Sequence, residues 1–260
     1  MHNILFSAGG LVFYSAPIFA GLAGLAAFLC LRALRGYMGL SPEDLWNLVL
    51  ALVFGVLGGA VLLYLLVYNG GAADNLRYVA ARGRFAGGSF WGSLWLSVAA
   101  AWLYCRWRRL PFRPVADGVG LSAVLALAVM RVGCLLHGCC HGTPSGLPWA
   151  VRFTDPSCAV APSLLGTPLH PVQVYEALGC LLVFGAACYF AIVRRRLRPG
   201  GAFLLSVVGY SLVRLGADLV RAGDPGLLAV AGLTTSQLIA AASAAAGALW
   251  YRFYDPGNKA

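Results

Sequence analysis

Seven stretches of this chain are apolar for long enough to cross a bilayer, and this one property decides most of what the sequence can fold into. A spanning helix needs about 20 mostly apolar residues. The stretches run from Val12 to Leu31, Leu45 to Val67, Ser89 to Tyr104, Gly118 to His137, Pro171 to Val193, Gly201 to Val220 and Thr235 to Tyr251. Only 11% of the residues are charged and 60% are apolar, which excludes an ordinary soluble domain or a disordered tail. The expectation is an all-α, polytopic membrane protein with about seven transmembrane helices in a single domain, residues 1–260. The first stretch lacks a preceding basic segment and reads as a retained span rather than a cleavable leader.

The net charge is 19 − 9 = +10, and its distribution carries the meaning. Arg32, Arg35, Arg106, Arg108, Arg109, Arg113, Arg194, Arg195, Arg196, Arg198, Arg252 and Lys259 fall in alternate loops and the C-terminal tail. The opposite loops hold only Arg77, Arg82, Arg84, Arg152 and Arg221. Under the positive-inside rule the N-terminus is outside and the C-terminus cytoplasmic. Topology and contact with anionic lipid account for the basic excess, and no nucleic-acid partner is expected.

Four charges remain inside or at the edge of spans: Arg131, Glu176, Arg214 and Asp218. Intramembrane charges cost at least about 2.5–3.5 kcal/mol on insertion scales and therefore tend to face a polar site. Arg214 and Asp218 share a helix face at i,i+4, so a purely structural ion pair is the alternative for them.

The loop from Gly138 to His170 lies outside in this topology and reads as a structured cap, stiffened by Pro144, Pro148, Pro156, Pro162 and Pro168. It is entered by RVGCLLHGCCHG (Arg131 to Gly142) and left by HPVQVYE (His170 to Glu176). Gly133, Gly138 and Gly142 are expected to present backbone N–H groups to an anion, with phosphate the most available one. Cys134, Cys139, Cys140 and Cys158 crowd the same region with His137, His141 and His170. A disulfide between Cys158 and Cys139 or Cys140 is the leading expectation for an oxidising compartment; a thiolate metal site and a redox role stand as alternatives. Cys30, Cys105, Cys180 and Cys188 read as packing residues.

These motifs resemble the bacterial prolipoprotein diacylglyceryl transferases. The fourth-span signature is present as Arg131, Gly133, Gly138 and Gly142. The His-Pro-x-Gln-x-Tyr-Glu element is present in full as His170, Pro171, Gln173, Tyr175 and Glu176. A late series appears as Tyr210, Arg214, Asp218 and Arg221 before Asp224 and Pro225, followed by Gln237. The sequence departs from the family where a Ser-Phe-His-Gly-Gly type element reads Ser89, Phe90, Trp91, Gly92, Ser93, so its histidine is missing. The family's fourth-span asparagine reads Cys134, a second asparagine reads His137 and a glutamate reads Cys139.

The resemblance implies transfer of a diacylglyceryl group from phosphatidylglycerol to the lipobox cysteine of a prolipoprotein in the bacterial inner membrane, with no cofactor and no bound metal. It implies a phospholipid donor, a protein or other small acceptor at the outer leaflet, and surrounding membrane lipids as partners. Arg131 and Arg214 are the expected clamp on the departing phosphate, because forked guanidinium donors suit that charge. His137 and His170 are joint candidates for the base, with His141 behind them. Glu176 and Asp218 are expected to orient these groups, and Tyr175, Tyr210, Gln173, Gly133, Gly142 and Arg221 to contact the substrate. A relative with another acceptor, a lipid or solute transporter and a thiol-redox membrane protein are the alternatives.

Overall fold

The computed structural model describes residues 3–8, 11–67, 72–82, 88–222 and 233–253. Arg84, Lys259, Asp224 and Pro225 lie outside the described residues. The described chain is mostly helical, in the order β1 (Ile4–Ala8), β2 (Leu11–Tyr14), α1 (Ser15–Ala33), α2 (Arg35–Met38), α3 (Pro42–Val67), α4 (Ala72–Arg82), α5 (Phe90–Arg108), α6 (Phe112–His137), β3 (Val151–Arg152), β4 (Pro168–Leu169), α7 (Val172–Cys188), α8 (Gly201–Asp218) and α9 (Thr235–Phe253). Among the described residues, five helical segments are long and apolar enough to cross a membrane: Ser15–Ala33, Pro42–Leu66, Phe112–His137, Val172–Val193 and Gly201–Asp218. The stretches expected at Ser89 to Tyr104 and Thr235 to Tyr251 form α5 and α9, each 19 residues long, but their composition is less apolar.

Local chemistry moves several boundaries. Val12, Phe13 and Tyr14 pair with the preceding segment as an antiparallel hairpin, so the first helix starts at Ser15. These are residues that favour the pleated conformation. The segment expected as a plain loop after the second span contains the short helix α4, with Asp74 in its first turn and Arg77 one turn on. Ser41 caps the start of helix α3: its Oγ accepts from the Asp44 N–H at 3.0 Å and donates to Asp44 Oδ2 at 2.7 Å, and Pro42 occupies the first helical position.

Small residues let the helices approach closely. A Cβ on Gly59 would collide with the Gly92 carbonyl, and one on Gly55 would meet Ser97 Cα at 2.6 Å, so α3 and α5 touch backbone to backbone. At the end carrying the basic residues, the buried Asp117 of α6 caps α8 from outside. It accepts from the Gly200 and Phe203 N–H groups at 2.8 Å each and from Tyr37 Oη at 2.7 Å. Asp117 thereby satisfies helix-end donors and sits at the positive end of the α8 dipole.

Residues 138–170 fold as a unit. Strands β3 and β4 pair antiparallel, Pro144 bridges to Leu169, and Phe153, Cys158, Val160 and Leu169 form a small apolar core beneath them.

Candidate active site

Three helix ends meet beside this folded loop. Arg131 and Cys134 share a face at the end of α6, Gln173 and Glu176 share one at the start of α7, and Tyr210, Arg214 and Asp218 follow at successive turns of α8. The point of convergence is Glu176, which is fully buried. Its Oε1 accepts from Arg131 Nη2 at 3.2 Å and from Arg214 Nη1 at 3.0 Å. Its Oε2 accepts from Arg221 Nη1 at 3.3 Å and lies 3.0 Å from Arg131 Nε, a charge contact whose angle is too poor for a hydrogen bond.

Arg214 is therefore more than the partner of Asp218. It donates Nη1 to Glu176 at 3.0 Å and Nε to Ser236 Oγ at 2.7 Å, and its Nη2 forms an ion pair with Asp218 Oδ1 at 3.0 Å. Asp218 also accepts from Thr234 Oγ1 at 3.2 Å. Three arginines and two carboxylates leave 3 − 2 = +1 in this cluster. The cluster thus holds a buried excess of positive charge, fixed in place by its own carboxylates.

Other expected site residues take varied positions. Gly142 is required sterically, since a Cβ there would collide with His170 and meet the Val220 carbonyl at 2.6 Å. Its N–H donates to His170 O at 3.0 Å and the Gly138 N–H donates to Cys134 O at 2.9 Å. The expected backbone anion nest from Gly133, Gly138 and Gly142 is corrected accordingly: those amides are used within the protein, and Gly133 is where Phe19 of α1 packs. His170 sits beside Gly142, which bridges to Arg221, and its Nδ1 is 3.5 Å from Tyr175 Oη. Tyr175 Oη also accepts from Trp149 Nε1 at 2.8 Å. His137 instead holds Asn3 Oδ1 at 2.7 Å, while Asn3 Nδ2 donates to Ser157 O, so this histidine ties the N-terminal segment to the loop. His141 Nδ1 is 3.0 Å from the Gly142 carbonyl.

Gln173 is fully buried; its Nε2 donates to Cys139 O at 2.7 Å and its Oε1 has no hydrogen-bond partner among the described residues. Tyr210 is buried between the rings of Phe90 and Trp91, at 4.7 and 5.5 Å.

The cysteines sort differently from the leading expectation. None of the eight cysteines forms a disulfide. Cys158 lies in the apolar core of the loop with its sulfur toward Leu136 O, whereas the sulfurs of Cys134, Cys139 and Cys140 lie within 4.8 Å of one another. The expected disulfide of Cys158 is replaced by a cluster of three thiols. Hydrogen bonds from Cys134 and Cys139, aided by the charges of Arg221 and Arg131, hold Cys140 well below the usual thiol range, and the same network pushes Cys139 up.

An apolar cleft of about 460 Å³ runs between α1, α3, α5 and α6, from Phe90 and Met130 down to Leu31 and Val49. Met130 lines it and the next residue, Arg131, enters the charged cluster.

Residues 3–253 match the family model described as prolipoprotein diacylglyceryl transferase. The chain belongs to the prolipoprotein diacylglyceryl transferase family. Curated relatives named phosphatidylglycerol–prolipoprotein diacylglyceryl transferase include one from Clostridium tetani, 31% identical with 92% of each chain covered. Another, from Solidesulfovibrio magneticus, is 34% identical over 84% of this chain and 82% of its own. A third, from Azoarcus, is 33% identical over 84% and 83%.

Within this diacylglyceryl transferase fold, sequence reasoning missed three polar residues. Asp117 and Asp44 fall just outside the apolar stretches, yet both are buried; Asp44 accepts from Tyr104 Oη at 2.9 Å and Arg108 Nε at 3.0 Å. The Ser41 to Asp44 capping pattern was the available signal for the latter. Asn3 carried no signal. Gln237, matched to the family in the sequence, serves the start of α9: its N–H donates to Thr234 Oγ1 at 3.2 Å and its Oε1 accepts from the Thr234 N–H at 2.9 Å.

Proposed function

We propose that this chain moves the diacylglyceryl group of phosphatidylglycerol onto the lipobox cysteine thiol of a prolipoprotein at the outer face of the bacterial inner membrane, releasing glycerol phosphate. The observation that carries this reading is Glu176, one buried carboxylate shared by Arg131, Arg214 and Arg221 next to an apolar cleft. The cleft suits an acyl chain and the cluster, at +1, suits the phosphate. The acceptor sulfur attacks the glyceryl carbon, the carbon–oxygen bond to phosphate breaks, and the arginine donors stabilise the departing charge. His170, at the rim beside Gly142 and Tyr175, takes the thiol proton, and Glu176 and Asp218 hold the arginines in place. Tyr175, Tyr210 and Gln173 complete the donor site, and residues 138–170 cap it.

In this reading α1, α3, α5, α6, α7, α8 and α9 all span, with the N-terminus outside. Trp91 in place of the family histidine favours one variation, an acceptor other than a prolipoprotein. Purified protein incubated with phosphatidylglycerol labelled in its glycerol headgroup and a lipobox peptide should give a thioether lipopeptide and free glycerol phosphate. Headgroup release without peptide lipidation would assign a different acceptor, and no release would overturn the reading.

A further inference from the structure

The three clustered thiols stand next to the anion site without a part in the chemistry above. Cys134 lies in the last turn of α6, and Gly138, in the left-handed region at φ +83, turns the chain back so that Cys139 and Cys140 face it. Cys140 itself has φ +63, a conformation that a non-glycine residue adopts at some energetic cost and that surrounding structure must hold. The Gln173 amide, bonded to Cys139 O, is one of the groups holding it. The result is three sulfurs within 4.8 Å of one another. Sulfurs bound to one zinc at about 2.3 Å each stand about 3.8 Å apart in a tetrahedron, so a small contraction closes them on an ion.

The position of the cluster suggests its use. Arg131 Nη1 points at Cys134 Sγ from 3.9 Å while the same guanidinium contacts Glu176, so one side chain separates the thiols from the anion site. A divalent zinc on three thiolates carries a net charge of 2 − 3 = −1, far less than three bare thiolates would place beside the arginines. It also keeps a fourth coordination position open, the feature that separates catalytic from structural zinc sites.

We propose that Cys134, Cys139 and Cys140 bind a thiophilic divalent ion, zinc by preference, whose open position receives the acceptor thiol. This rests on the transferase reading and supplies what the histidine missing at Trp91 does not. The acceptor thiol displaces water from the ion and loses its proton to His170, because a coordinating thiol is deprotonated. The bound sulfur then forms its bond to the glyceryl carbon as the bond from that carbon to the phosphate oxygen breaks, and the leaving group departs with the electron pair. The ion stays divalent and no oxidant is required.

The test uses full-length protein in detergent, purified under reducing conditions and titrated with cobalt(II) as the probe. The expected result is one ion per chain with sulfur-to-cobalt charge-transfer absorption. Cys134→Ser, Cys139→Ser and Cys140→Ser should each abolish that absorption, and Cys158→Ser should retain it. A lipobox peptide should shift the cobalt d–d bands, and the same peptide with serine for cysteine should not. A chelator should stop peptide lipidation and zinc should restore it. Should a cysteine variant fail to fold, the stoichiometry and peptide response of the unaltered protein still decide. Absence of bound ion, a disulfide among the three thiols by mass spectrometry, or lipidation indifferent to chelator overturns the metal site and leaves the transferase standing. A peptide-responsive ion with no lipid transferred overturns the transferase reading instead.

Discussion

The indole of Trp91 packs against the phenol ring of Tyr210, centroids 5.5 Å apart, one turn of α8 above Arg214. Both rings are buried, and Trp91 is the residue at which the sequence departs from the element that it resembles. Trp91 acts here through shape. Trp91→Phe should keep lipidation within a few-fold, whereas Trp91→Ala should lower stability by about 3–5 kcal/mol, the range for deleting a large buried aromatic. Thermal unfolding in detergent, followed with the transfer assay, checks both.

Arg131 and Arg214 each make donor contacts in more than one direction, which a point charge cannot reproduce. Arg131→Lys and Arg214→Lys should fold and bind donor lipid but lose about 10²-fold or more in kcat. Wild-type turnover in Arg214→Lys would reduce that side chain to a structural tie between α7, α8 and α9.

The two histidines ranked together by sequence separate in the structure, because His137 is engaged by Asn3 and His170 sits by Gly142 and Tyr175. His170→Gln should lose about 10²-fold in transfer. His137→Gln should keep its rate and instead loosen the N-terminal segment, read as faster amide exchange around Asn3.

Asp117 accepts from two amide donors at the start of α8 and one tyrosine. Asp117→Ala should lower the unfolding midpoint, since each orphaned buried donor costs about 1–3 kcal/mol. The surviving folded protein should show an unchanged KM, as the residue stands at the far end of α6 from Arg131.

Topology is checked by reporter fusions. Fusions after Arg35, Arg113 and Arg198 should read cytoplasmic, and one after Trp149 should read exocytoplasmic. The opposite pattern would place residues 138–170 on the wrong side for a translocated acceptor.

The ion cluster was legible as four lone charges because charge within an apolar run is conspicuous, but its wiring was not. Arg131 has no acid within reach on its own helix, where Asp117 lies at the far end, and only the packing of α6 against α7 brings Glu176 to it. The glycines were legible as close-contact positions, yet whether a glycine faces a ligand or a neighbouring helix depends on tertiary packing, and Gly133 faces Phe19. Cysteine pairing was opaque for the same reason: spacing brings Cys134 near Cys139 and Cys140, and the loop core takes Cys158 away. Asp44 and Asp117 escaped because a hydropathy window ends where such residues begin.

Because Glu176 of α7 is shared by Arg131 of α6, Arg214 of α8 and Arg221 just beyond it, the charged cluster has no partial form. During synthesis Arg131 enters the bilayer before Glu176 is made, and Glu176 before Arg214 and Arg221. Each helix must insert on its own apolar residues while carrying a charge whose counterpart has yet to arrive. The electrostatic centre then locks only when the chain has delivered residue 221, so nascent chains ending before α8 should neither retain phospholipid nor resist extraction as the finished protein does.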